Sequence, residues 1–125
     1  MNISPIPTIL IVDDEQFFRV VLREMLTDAG YSVVAEASDG DEAVRTYSEC
    51  APSLVFMDIY MPTKNGIEAI REIVSTDANA KIIICSGTGY EDDINAALQA
   101  GAKGVVFKPF FGGEVLETVS NVLAG

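Results

Sequence analysis

Five times along this chain, a short apolar run rich in β-branched residues gives way to a stretch whose apolar positions recur at helical spacing. Strict alternation of this kind is the signature of an α/β fold, because each run reads as a strand and each periodic stretch as the crossover that returns the chain to the same edge of a sheet. The runs are Thr8 to Val12, Ser32 to Ala37, Leu54 to Met57, Lys81 to Cys85 and Gly104 to Phe107. Four of them are nearly continuous in apolar residues, as parallel strands covered on both faces require. The first helix carries Phe17 or Phe18, Val21 or Leu22, and Met25 or Leu26, and Gly30 closes it. A second opens at Asp39 or Gly40 and runs to about Cys50 with Ala43, Val44 and Tyr47 inward; a third runs from Gly66 to about Thr76 on a stripe of Ile67, Ile70, Ile73 and Val74. Glu91 to Ala100 and Gly113 to Leu123 supply the last two.

Right-handed crossovers then give an open, doubly wound, five-stranded parallel sheet. The common strand order for five such units is 2-1-3-4-5, and ligands sit beyond the carboxyl ends of the strands where the order reverses, here between the first and third. At 125 residues, with no linker, repeat or low-complexity tract, residues 1–125 read as one domain. No window approaches the roughly eighteen uninterrupted apolar residues of a membrane span. The start "MNISPIPT" lacks the basic and apolar segments of a signal peptide, which points to the cytoplasm. Cys50 and Cys85 are then expected to be reduced, and both read as small buried hydrophobes. A formal net charge of −11, with only eight scattered basic residues, argues against nucleic acid as a direct ligand.

The strand ends hold the chemistry. "ILIVDDEQ" delivers Asp13 and Asp14, "LVFMDIYMP" delivers Asp58, "IIICSG" delivers Ser86 and "VVFKPF" delivers Lys108. Taken singly, an Asp after a strand is an ordinary turn or capping residue. Together, three carboxylates on one rim repel unless a cation lies among them, and oxygen ligands without His or Cys select a hard ion, Mg2+ best of all. An aspartate can also accept a phosphoryl group as an acyl phosphate, and it then needs a metal, a fixed cation and a hydroxyl donor around the phosphoryl oxygens. Asp58, Lys108 and Ser86 fit those roles.

In order and spacing, "VDDE", "DIYMPTKNG", "CSG" and "AGAKGVVFKPF" resemble the receiver domain of two-component response regulators over essentially the whole chain. The resemblance implies a flavodoxin-like three-layer sandwich, with Asp58 as phosphoacceptor. It implies that Asp14 ligates Mg2+ directly, Asp13 mostly through water, and Tyr60 through its backbone carbonyl. It assigns Ser86 and Lys108 to the phosphoryl group, and makes the Lys108–Pro109 peptide cis. The phosphoryl donor would be a histidine kinase or a histidine phosphotransfer protein, and the output a changed surface read by a downstream target protein. The sequence departs from the family at Val105, where many members have an aromatic switch. Tyr60, two residues past the acceptor, and Thr88, two past Ser86, occupy the family's rate-setting positions, and a bulky Tyr60 predicts slow self-dephosphorylation. Gly87 and Gly89 suggest a flexible loop beside Ser86. No effector segment follows Leu123, which reads as a stand-alone adaptor, with a piece of a longer regulator as the alternative. The competing function is a small Mg2+-dependent phosphatase with an Asp nucleophile, but such enzymes place a second acid where this chain has Tyr60. A flavin binder of the same fold would want hydroxyls and glycines where this chain has "DDEQ".

Overall fold

The computed structural model of the protein describes residues 5–87 and 91–125. Strands β1 (Thr8–Val12), β2 (Ser32–Ala37), β3 (Leu54–Asp58), β4 (Ile82–Ser86) and β5 (Gly104–Phe107) alternate with helices α1 (Gln16–Asp28), α2 (Gly40–Cys50), α3 (Gly66–Thr76), α4 (Glu91–Ala100) and α5 (Gly112–Ala124). All pairings are parallel, in the order β2-β1-β3-β4-β5. Both the fold class and the strand order agree with the sequence reading. The differences are at the ends: β3 and β4 each extend one residue further than the apolar runs, so that Asp58 and Ser86 are the last residues of their strands. Their backbones are thereby fixed by the sheet ladder and not by a loop.

The period of two along each strand divides the core into two layers. Ile9, Ile11, Leu54, Phe56, Ile83 and Val106 face α1 and α5, meeting Leu22, Leu26, Val115 and Val119. Leu10, Val12, Val55, Met57, Ile82 and Ile84 face the other way, onto Ala43 and Tyr47 of α2, Ile70 and Ile73 of α3, and Ala97 of α4. Each such aliphatic side chain contributes about 1.5–3 kcal/mol by leaving water, before its ordering entropy is counted. Ala69, absent from the expected stripe of α3, is also fully buried. Cys85 is buried as expected, but Cys50 is exposed. It is the last residue of α2, and Ala51 turns the chain away there in a left-handed conformation, φ 45°.

Local chemistry sets the helix starts. Asp39 caps α2 by accepting from Glu42 N–H at 2.8 Å, and Asn65 caps α3 by accepting from Glu68 N–H at 2.9 Å. Gly30 ends α1 at φ +97°, and Tyr31 N–H closes back on the Leu26 carbonyl at 3.0 Å. Among the described residues, no helix is long and apolar enough to cross a membrane.

One glycine connects the fold to the rim. Gly66 N–H donates to the Ile59 carbonyl at 2.7 Å, folding the Pro62–Gly66 turn back against the end of β3. A Cβ on Gly66 would stand 2.0 Å from the Asp58 carbonyl oxygen, a backbone atom that cannot swing away. Gly66→Ala is therefore expected to destabilise the protein by about 2–4 kcal/mol, read as a lowered midpoint in urea unfolding. An unchanged midpoint would show that the turn can open without loss.

Candidate functional site

Four of the rim residues that the sequence singled out, Asp13, Asp14, Asp58 and Lys108, meet here, and Ser86 ends the neighbouring strand β4. Asp13 is 1% exposed and Asp58 7% exposed, while Asp14 lies open to solvent. One oxygen from each of the three carboxylates falls within 4.8 Å of the others. Lys108 Nζ lies 2.8 Å from Asp13 Oδ2 and 3.5 Å from Asp58 Oδ1. Asp13 Oδ2 has that charged neighbour but no directed hydrogen bond, so a buried anionic oxygen retains unused ligand capacity. That unsatisfied oxygen, together with an all-oxygen donor set beside an exposed acid, fits a hard divalent cation such as Mg2+.

The backbone fixes these groups. Asp13 Oδ1 accepts from Glu15 N–H at 2.9 Å, which turns the chain from β1 into α1. Arg19 Nη1 donates to the Asp13 carbonyl at 2.7 Å, while Arg19 and Arg23 both engage the Glu36 carboxylate of β2. Asp58 Oδ1 accepts from Ile59 N–H at 3.0 Å. Lys108 N–H donates to the Ser86 carbonyl at 2.8 Å, locking β5 to β4 at the rim, and the Lys108–Pro109 peptide is cis. Ser86 is buried, its hydroxyl donating to the Gly87 carbonyl at 2.9 Å. Tyr60 stands half-exposed beside the site and its hydroxyl donates to Asp93 on α4. Val105 pairs with Ile84 within the sheet. Thr88 and Gly89 lie outside the described residues.

Sequence reasoning missed three contacts. Arg19 was not assigned to the rim, although an arginine one helical turn into α1 is well placed to reach the β1 carboxyl end. The Tyr60–Asp93 bond joins positions 33 residues apart, which no local pattern reveals. Either Phe17 or Phe18 suits the helical spacing of α1, and sequence does not choose between them. Phe17 is the exposed one, and the Phe18 ring lies under Lys108, with Nζ 4.1 Å from its centroid. A cavity of about 590 Å3 lined by Lys81, Lys103 and Asn121 lies at the opposite, amino ends of β4 and β5 and shares no residue with this rim.

The electrostatics follow from the crowding. Burial first, then the charge of Asp13, pushes the Asp58 carboxyl up to about 7, with Lys108 and Ile59 N–H pulling the other way. Burial lowers the Lys108 pKa, but the contact with Asp13 and the field of Asp58 outweigh it and hold the ammonium charged. Desolvation keeps the Cys85 thiol neutral.

Residues 9–120 match the response regulator receiver domain, and the chain belongs to that family. It is a signalling receiver of the kind phosphorylated on aspartate, not a conventional enzyme. It is 48% identical to the chemotaxis protein CheY of Thermotoga maritima, over 91% of this chain and 95% of that protein. It is 47% identical to CheY of Bacillus subtilis, over 92% of this chain and 96% of that protein. Among solved structures, the CheX–CheY–BeF3–Mg2+ complex of Borrelia burgdorferi superposes with a TM-score of 0.89 at 35% identity, covering 94% of this chain and 89% of that one.

The raised Asp58 has a measurable consequence without metal. The folded protein holds this proton up to about pH 7, whereas an unperturbed aspartate releases it near 3.8. The folded state thus binds more protons across that window, so stability falls as pH rises through it. With chelator present, Asp58→Asn is expected to stabilise the protein by about 1–3 kcal/mol at pH 8, with the gain shrinking toward zero near pH 4, as read from urea midpoints. A gain independent of pH would mean that the charge of Asp58 is not the source.

Proposed function

We propose that the protein is a phosphorylation-switched module of a two-component relay, with Asp58 as phosphoacceptor. The donor would be a phosphohistidine on a histidine kinase or a histidine phosphotransfer protein. The observation that carries this reading is the clustering of Asp13, Asp14 and Asp58 around the Lys108 ammonium at the junction of β1 and β3. Ile59 N–H anchors Asp58 Oδ1, and the other carboxylate oxygen, Oδ2, would attack phosphorus. The new P–O bond forms as the P–N bond of phosphohistidine breaks, and the electron pair leaves with the imidazole nitrogen. Lys108 neutralises phosphoryl oxygens and Ser86 donates its hydroxyl to one of them.

Asp13, Asp14 and Asp58, with the Tyr60 carbonyl, would hold Mg2+, which when bound neutralises carboxylate and phosphoryl charge together. The added charge of about −1.5 to −2 on Asp58 then draws on Ser86 and Lys108 and changes the surface offered to a downstream target protein. With Val105 in place of an aromatic, the change passes through the backbone at β4 and β5 and through the Tyr60–Asp93 link to α4. The match over residues 9–120 supports reading the chain as one receiver domain, and its likeness to chemotaxis regulators supports a cytoplasmic setting.

Titration with beryllofluoride, a phosphoryl mimic, tests the reading. Binding is expected only with Mg2+ present and is expected to be lost in Asp58→Asn. Metal-independent binding, or binding retained by the variant, would overturn it. Tyr60, whose hydroxyl donates to Asp93, would slow the approach of water to the acyl phosphate. Tyr60→Asn should shorten the phosphoryl lifetime roughly threefold or more, measured by loss of radiolabel from the purified phosphoprotein; an unchanged lifetime would remove the shielding role.

A further inference from the structure

Lys108 has a neighbour to which the proposed function gives no part. Lys108 leaves the end of β5 and must carry its ammonium across the rim to the carboxylates of β1 and β3. A lysine side chain has four rotatable bonds, and holding it in one place forfeits on the order of 2 kcal/mol of rotamer entropy. Its carboxylate contacts alone leave the position ambiguous. Nζ is closer to Asp13 Oδ2, at 2.8 Å, than to Asp58 Oδ1, at 3.5 Å, and the nearer acid pulls it off the acceptor.

The remaining side of the ammonium is covered by Phe18, whose ring centroid is 4.1 Å from Nζ. An ammonium on a ring face gains electrostatic attraction on that side without drawing on the carboxylate oxygens. The ring is itself braced. Phe110, two residues past Lys108 and buried, meets Phe18 edge-on with centroids 5.7 Å apart, and Phe17 does the same on the solvent side at 5.3 Å. Phe18 also lies within α1, while Lys108 lies at the start of the β5–α5 connection. The contact therefore ties the two segments that frame the rim.

We propose that Phe18 is a positioning residue for Lys108, its ring face holding the ammonium where a phosphoryl group on Asp58 will meet it. The proposal rests on the assignment of Asp58 and Lys108 made above. Without the ring, the ammonium spends part of its time displaced, and apparent affinity for a phosphoryl group falls by the fraction of molecules so displaced. The effect falls on the phosphoryl step and leaves the carboxylate cluster intact.

The test must separate ring charge from ring shape. Phenylalanine carrying one, two or three ring fluorines is installed at position 18 of the full chain, which withdraws charge from the face while nearly preserving volume. Beryllofluoride affinity in saturating Mg2+ is expected to fall stepwise with each fluorine, to a total of roughly two- to tenfold, and to recover in Phe18→Trp. Affinity for Mg2+ alone should stay level. In metal-free protein, the Lys108 ε-methylene protons should show a ring-current upfield shift that disappears in Phe18→Leu. A flat response across the fluorinated series, with wild-type binding intact, would reduce Phe18 to packing and overturn the proposal. Failure of the wild-type chain to bind beryllofluoride at all would instead strike the underlying assignment of Asp58.

Discussion

Repulsion among carboxylates at one end of the sheet is the constraint on which the rest of this molecule depends. Two strands bring Asp13, Asp14 and Asp58 together, two of them out of water, and among the described residues Lys108 is the cation within ion-pair reach of the buried two. One ammonium against three acids leaves net negative charge in a partly desolvated place. The metal-free site meets that imbalance by keeping a proton on Asp58 up to about pH 7. A divalent cation held by Asp13, Asp14 and Asp58 would meet it differently, by supplying the missing positive charge and removing the need for that proton. The same imbalance that makes the site unfavourable by itself would favour a hard divalent cation there.

The fold maintains this arrangement with rigid parts. Asp58 and Ser86 end strands whose backbone partners are set by the ladder, and Lys108 N–H bonds back to Ser86. Arg19 grips the Asp13 carbonyl, and Gly66 lets α3 press directly on the Asp58 carbonyl. The functional groups are thus held from behind by backbone contacts, so their side chains need few partners of their own. Within such a frame, a group added to Asp58 would act on neighbours that cannot all relax locally, which is a physical basis for the proposed transmission to a surface.

Much of this was legible in the sequence because the determining signals are local. Strand order followed from the βα alternation and the handedness rule, and the rim residues followed from reading the last position of each apolar run. What was not legible depends on distance in space. Cys50 fits the apolar periodicity of α2, yet it is exposed, because periodicity does not tell where a helix outruns the sheet. Phe18 and Phe17 are equivalent as letters; only the approach of the β5–α5 connection to α1 decides which ring meets Lys108. The bulk of Tyr60 two residues past Asp58 is legible locally, but its bond to Asp93 depends on where α4 settles beside the β3–α3 connection.

The central claim is that a divalent ion lets one particular aspartate of the three accept phosphorus. Acyl phosphates are reduced by borohydride to the alcohol, which marks the acceptor as homoserine. The purified protein, incubated with acetyl phosphate and Mg2+, then reduced and sequenced by mass spectrometry, should carry homoserine at position 58 alone, and none when the metal is chelated. Label at Asp13 or Asp14, or at position 58 irrespective of metal, would contradict the account.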